Sequence, residues 1–143
     1  MEHLLALQRV PLFENLNLDQ LDAVLRLARD VSYLPGEVIV REGDPGGELF
    51  VLLEGSAEAW LDHGGASAQR LSTIERGGYF GEMAILDDEP RSATVVTREA
   101  ARLLALDGDS LKSLLRDMPE IALELLRVMT ARVRTSERRL RDR

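Results

Sequence analysis

Apolar residues at Leu18, Leu21, Val24, Leu25 and Ala28 follow the spacing of an amphipathic helix, predicted over Leu18 to Arg29. Asn17 stands at the N-cap with Gln20 three residues on, the pattern of a capping box. The preceding Val10-Pro11-Leu12-Phe13 reads as a short turn beside it. From Val31 the period changes. Short strand-like runs follow at Val31–Leu34, Val38–Val40, Leu49–Leu53, Ala57–Leu61 and Gln69–Ile74. Between them lie Pro35-Gly36, Gly43 to Gly47, Glu54-Gly55, Gly64-Gly65 and Gly77-Gly78. Strands this short, broken by turns this regular, predict an antiparallel β-barrel or jelly roll. Ala93–Thr97 and Ala101–Leu106 supply two more strands. Asp107 or Asp109 then caps a helix running through Arg116, and Pro119 sits in the first turn of the last helix, where its missing N–H costs nothing. The prediction is a single α+β domain over residues 1–143, an antiparallel barrel or jelly roll flanked by N-terminal and C-terminal helices, with no internal repeat or linker.

The last helix, residues 119–143, carries two stripes. Ala122, Leu126, Met129, Val133, Ser136 and Leu140 are spaced four, three, four, three, four, a coiled-coil seam with one polar position. Ile121, Leu125, Val128, Arg132 and Thr135 lie on an adjacent face, free to pack on the barrel. Two working faces on one helix predict a homodimer through 119–143. The alternative is a single broad apolar stripe that frays into solvent.

Composition narrows the function. At 143 residues, 45% apolar and 30% charged, the chain is a globular domain of ordinary size with room for a core. No apolar run approaches the roughly 20 residues of a membrane span, and MEHLLALQRVPLF lacks the form of an export signal. A cytoplasmic location without membrane contact is expected. The absence of cysteine removes disulfides, thiolate catalysis and cysteine-based metal sites. Net charge is −7, but residues 131–143 carry +4 through six arginines against Glu137 and Asp142, so residues 1–130 carry −11. So acidic a body argues against nucleic-acid binding by this domain. The basic end reads as a solvated helix terminus with cations suited to its dipole.

The chemistry concentrates in Phe80 to Val95, FGEMAILDDEPRSATV. Arg91 is always charged, and its fork of donors can grip two oxygens of a phosphodiester. Such charge-assisted bonds are roughly twice as strong as neutral ones. Glu82, ionised, only accepts; it would repel a phosphate but can take a hydrogen bond from a ribose 2′-hydroxyl. Gly81 permits positive φ and a close backbone approach. Glu82-Met83-Ala84-Ile85-Leu86 reads as one helical turn whose free N–H groups favour an anion, and Ser92 with the Ala93 N–H completes the cradle. The acidic Asp87-Asp88-Glu89 reads as an exposed turn pointing away from the phosphate, without the geometry of a calcium loop.

This run resembles the phosphate-binding cassette of the cyclic nucleotide-binding domain family, and Pro35 to Gly55 resembles that family's first strand-and-turn block. The likeness extends from about Leu12 to the end of the last helix, closest in pattern to the effector domain of catabolite-activator-type regulators. It implies a cAMP sensor, with the ribose on Glu82 and the phosphate on Arg91 and Ser92. Counting without gaps from Pro119, it implies that Arg132 supplements the phosphate contacts and that Ser136 meets the adenine amino group. Thr135 takes the place of Ser136 if the register slips by one. The base would lie between Leu71 and Met83, two residues equally explicable as core. The family's transcription factors continue into a DNA-binding helix-turn-helix, and this chain stops where the hinge would begin. The resemblance therefore implies either a stand-alone sensor or the effector half of a longer regulator of transcription.

Three other readings stand beside the sensor. An enzyme fits poorly, because His3 and His63 are the only histidines and no catalytic triad or metal-ligand spacing appears. A degenerate module that only dimerises would not need Glu82 and Arg91. A cGMP sensor stays open, since the Ser92 hydroxyl suits either base.

Overall fold

The computed structural model describes residues 2–142; Met1 and Arg143, the ends of the domain expected over 1–143, lie outside them. Eight strands form two four-stranded antiparallel sheets. One orders β1 (Arg29–Tyr33), β8 (Ala101–Asp107), β3 (Glu48–Glu54) and β6 (Tyr79–Phe80); the other orders β2 (Val38–Val40), β7 (Thr94–Thr97), β4 (Ala57–Leu61) and β5 (Gln69–Ile74). The result is an open jelly-roll sandwich, not a closed barrel.

The first sheet is covered on both faces, and its sequence says why. In β3, Phe50 and Leu52 enter the space between the sheets with Phe80, Val95, Leu103 and Ala105. Their neighbours Leu49, Val51 and Leu53 point the other way, into a second core built by the helices. Successive side chains on a strand face opposite sides, so a strand buried on both sides is a continuous apolar run. Strand β8 repeats the division, with Leu103 and Ala105 inward and Leu104 and Leu106 toward the helices.

That helical layer comprises α1 (Glu2–Gln8), a 3₁₀ turn at Pro11–Phe13, α2 (Leu18–Leu27), α4 (Gly108–Asp117) and α5 (Pro119–Arg141). The capping box forms as expected: the Asn17 side chain accepts from the Gln20 N–H, and the Gln20 side chain accepts from the Asn17 N–H, both at 2.9 Å. Helix α2 stops at Leu27, two residues short of the predicted end, because Ala28 is extended and Arg29 already pairs with Ala105. Asp107, not Asp109, caps α4 through the Ser110 N–H at 2.8 Å. Helix α1 and strand β6 went unread. The first is seven residues anchored by a fully buried Leu7; the second is a two-residue strand too short to show a period. No described helix is long and apolar enough to cross a membrane.

Candidate functional site

A cavity of about 970 Å³ opens between α5 and the second sheet. Its inner end is made by the cassette: Gly81, Glu82, Met83 and Ala84 at the start of α3 (Glu82–Leu86), then Arg91, Ser92 and Ala93 ahead of β7. Leu71 of β5 faces it from the second sheet, with Arg132 and Ser136 of α5 opposite. All ten residues expected at the site thus line one space.

Local geometry explains the cassette's sequence. Gly81 has φ +97, and a Cβ there would stand 2.5 Å from both Arg91 Nη1 and the Glu48 carbonyl oxygen. Gly81→Ala is therefore expected to cost about 1–3 kcal/mol of backbone strain in addition to displacing Arg91. Denaturant unfolding combined with ligand titration would read both losses, and a variant unchanged in either would contradict this account. Gly46 matters in the same way and was read only as a turn residue. A Cβ on Gly46 would overlap that of Ala84 and crowd Arg91 Nε. The turn containing it also holds the arginine's backbone: the Arg91 N–H donates to Asp44 O at 2.8 Å, and the Gly43 N–H donates to Arg91 O at 2.9 Å.

Arg91 is 8% exposed and, among the described residues, has no carboxylate within ion-pair distance. Its Nη1 reaches Gly81 O at a long 3.5 Å, and its guanidinium lies 5.9 Å from the centre of the Phe50 ring, which stacks on Phe80. Burial pulls its pKa below the ordinary value, against the more distant carboxylates of Glu48 and Glu82. A buried cation without an anion is costly, and the cavity beside it is where an anion would relieve that cost. No side chain caps the start of α3.

Glu82 is 3% exposed and accepts from Arg132 Nη1 at 3.0 Å. The partner of Arg132 in this structure is therefore the carboxylate expected to meet a ribose. Next to it, burial first and then the Glu82 carboxylate push the Tyr79 phenol up to about 12, so Tyr79 stays neutral at physiological pH.

Along α5, the Thr135 hydroxyl donates back to Ala131 O at 3.0 Å, whereas the Ser136 hydroxyl makes no such bond to the helix backbone. Both line the cavity. Leu71 and Met83, read as base contacts or core, are each 49% exposed and border the cavity, so they are not core. Ile121 and Leu125 are buried as the barrel-facing stripe requires. The outer groove of α5 contains Leu126, Met129, Val133 and Glu137; Ser136, placed in that seam from the sequence, turns to the cavity instead. The run Asp87 to Glu89 is exposed as expected, and no cluster of metal-ligating residues occurs among the described residues.

The profile of the cyclic nucleotide-binding domain family matches residues 30–118. The CRP-like cAMP-activated global transcriptional regulator of Mycobacterium tuberculosis is 28% identical over 136 residues, 95% of this chain and 61% of that protein. The cyclic AMP receptor protein of Thermus thermophilus is 32% identical over 127 residues, 89% of this chain and 59% of that one. The chain thus spans about three fifths of these bacterial relatives. Among solved structures, the Thermus thermophilus catabolite activator protein superposes with a TM-score of 0.83 at 32% identity, over 91% of this chain and 61% of the other. The regulatory domain of Toxoplasma gondii PKA, solved with cAMP, gives 0.78 at 25% identity over 90% and 49%.

Proposed function

The chain belongs to the cyclic nucleotide-binding domain family, and on that footing we propose that it is a non-catalytic cAMP sensor that passes binding to its last helix. The observation that carries this reading is Arg91: a buried guanidinium without an anionic partner among the described residues, in a cavity shared with Glu82, Ser92 and the start of α3. A cyclic phosphate seated there would receive the Arg91 fork, the Ser92 hydroxyl and the Ala93 N–H. The ribose 2′-hydroxyl would donate to Glu82. Because Arg132 already rests on Glu82, a ligand at this carboxylate also offers Arg132 a second anion, the phosphate. Occupancy therefore changes what holds α5 in place. The hydroxyl of Ser136 would accept from the adenine amino group, with Leu71 and Met83 about the base.

The relatives include transcription regulators and kinase regulatory subunits, which favours regulation over catalysis. We place the chain as the effector domain of a longer regulator of transcription, cytoplasmic, pairing with a second copy through 119–143. The acidic body does not itself meet nucleic acid.

Calorimetric titration with cAMP is the direct test, and absence of binding would sink the proposal. The ribose assignment has its own measurement. Glu82→Ala is expected to lower cAMP affinity and to erase the preference for cAMP over 2′-deoxy-cAMP. If the variant still separates the two ligands, Glu82 is structural and another group holds the hydroxyl.

A further inference from the structure

We infer that Arg29 is a positioning residue for anion capture: by holding the Glu48 carboxylate it keeps Arg91 open to a ligand, without touching that ligand itself. The inference rests on the cyclic-nucleotide reading above. Among the described residues Arg91 has no carboxylate partner, yet one stands near. Arg91 Nη1 and the Glu48 carbonyl oxygen each lie 2.5 Å from the point a Cβ on Gly81 would occupy, and so no more than twice that distance apart. Strand geometry sends the Glu48 side chain the same way. Alternate residues of a strand share a face, and Glu48 stands two residues before Phe50 on β3. Phe50 points between the sheets, with the Arg91 guanidinium 5.9 Å from its ring centre. Glu48 therefore projects on the face where Arg91 lies. Burial lowers the Arg91 pKa, and of the two carboxylates that oppose it Glu48 acts more strongly than Glu82.

A residue from another strand holds that carboxylate. Arg29 begins β1 opposite Ala105 of β8, and Ala105 is in turn opposite Phe50. Directly opposed residues of antiparallel strands share a face, so Arg29 belongs to the same surface. Its guanidinium crosses β8 to donate to Glu48 Oε2 at 2.7 Å. The pair is partly exposed, 62% for Arg29 and 33% for Glu48, and pairs so exposed contribute little to stability. Its consequence is local. A carboxylate turned toward Arg91 would make a charge-assisted bond to a buried guanidinium, and an incoming phosphate would first have to displace it. With Glu48 engaged by Arg29, the fork of Arg91 has no rival anion from β3.

The test is calorimetry with cAMP on the whole chain, on Arg29→Ala and Arg29→Lys, and on Arg29→Ala in a Glu48→Gln background. Arg29→Ala should weaken binding by about fivefold or more, the effect of a charged hydrogen bond discounted for exposure. The same substitution beside Glu48→Gln should change little, because an amide offers Arg91 no competing charge. Arg29→Lys keeps a cationic donor for Glu48 and should recover most of the loss. Equal weakening by Arg29→Ala with and without the Glu48 carboxylate would mean that Arg29 adds only a distant positive charge or a structural support, with no coupling between the two residues, and would overturn the inference. So would an undiminished affinity in Arg29→Ala. Failure of the unmutated chain to bind cAMP would strike the ligand assignment itself, and this inference with it.

Discussion

Arg91→Ala is expected to weaken cAMP binding by about 30-fold or more, since removing one partner of a buried charge pair costs roughly 2–5 kcal/mol. The same substitution should leave the unfolding midpoint unchanged or slightly raised. In the unliganded protein Arg91 is a buried cation whose nearest polar contact is a 3.5 Å approach to Gly81 O, so its removal relieves desolvation without breaking an ion pair. Affinity and stability thus move independently, or in opposite directions. Arg91→Lys should also bind weakly, because an ammonium cannot reproduce the planar fork. Near-normal affinity in the lysine variant would refute bidentate capture, and a large loss of stability in the alanine variant would make Arg91 a structural residue.

cAMP should tighten self-association of the chain by about 5- to 150-fold, the usual range of coupling between linked sites. Leu126 and Val133 are 59% and 56% exposed on the outer groove of α5, while Arg132 and Ser136 of the same helix face the cavity. One rigid element presents both surfaces, so a ligand that selects one placement of α5 also selects one presentation of the groove. The shift is limited to the ligand's differential affinity for the two placements. Met129→Glu adds a charge to that groove and should give a monomer with weaker cAMP binding. Analytical ultracentrifugation with and without cAMP decides the matter. A monomer under both conditions, well above the concentrations used for binding, would remove the dimer helix and leave the cassette assignment standing.

Where the sequence was legible, a local rule was at work. Gly81, Glu82, Arg91 and Ser92 could be assigned to one cavity because they stand in one contiguous run whose residue chemistry marks it. The capping box at Asn17 and the proline at the start of α5 follow from backbone groups within one turn. What escaped was decided at a distance. Gly46 looked like any turn glycine, since its demand for space comes from Ala84 and Arg91, some forty residues on. The 3.0 Å contact of Arg132 with Glu82 was not foreseen, since it depends on how α5 lies over the sandwich. Ser136 fitted the heptad seam by spacing alone. The helix is rotated so that Ile121 and Leu125 are buried, which carries Ser136 into the cavity and leaves Glu137 in the groove. Strand β6 has two residues, too few for any period, and exists because Phe80 and Tyr79 pair with Phe50 and Val51.

Helix α5 is secured unevenly. Its first turns are sunk into the core through Ile121 and Leu125, whereas from Thr130 onward its residues are exposed, with Arg132 tied to the cassette by the Glu82 ion pair. Mechanically it is a cantilever. The free arm from Leu125 to Arg141 is about 24 Å long, so a tilt of about 10° at the root sweeps the tip through about 4 Å. In the proposed sensor, a ligand at Glu82 that shifts Arg132 by about 2 Å, about 10 Å from the root, has that shift geared up rather more than twofold along the arm. The far end then moves by a distance comparable with the width of a side chain, and that movement is what a partner at the tip would sense.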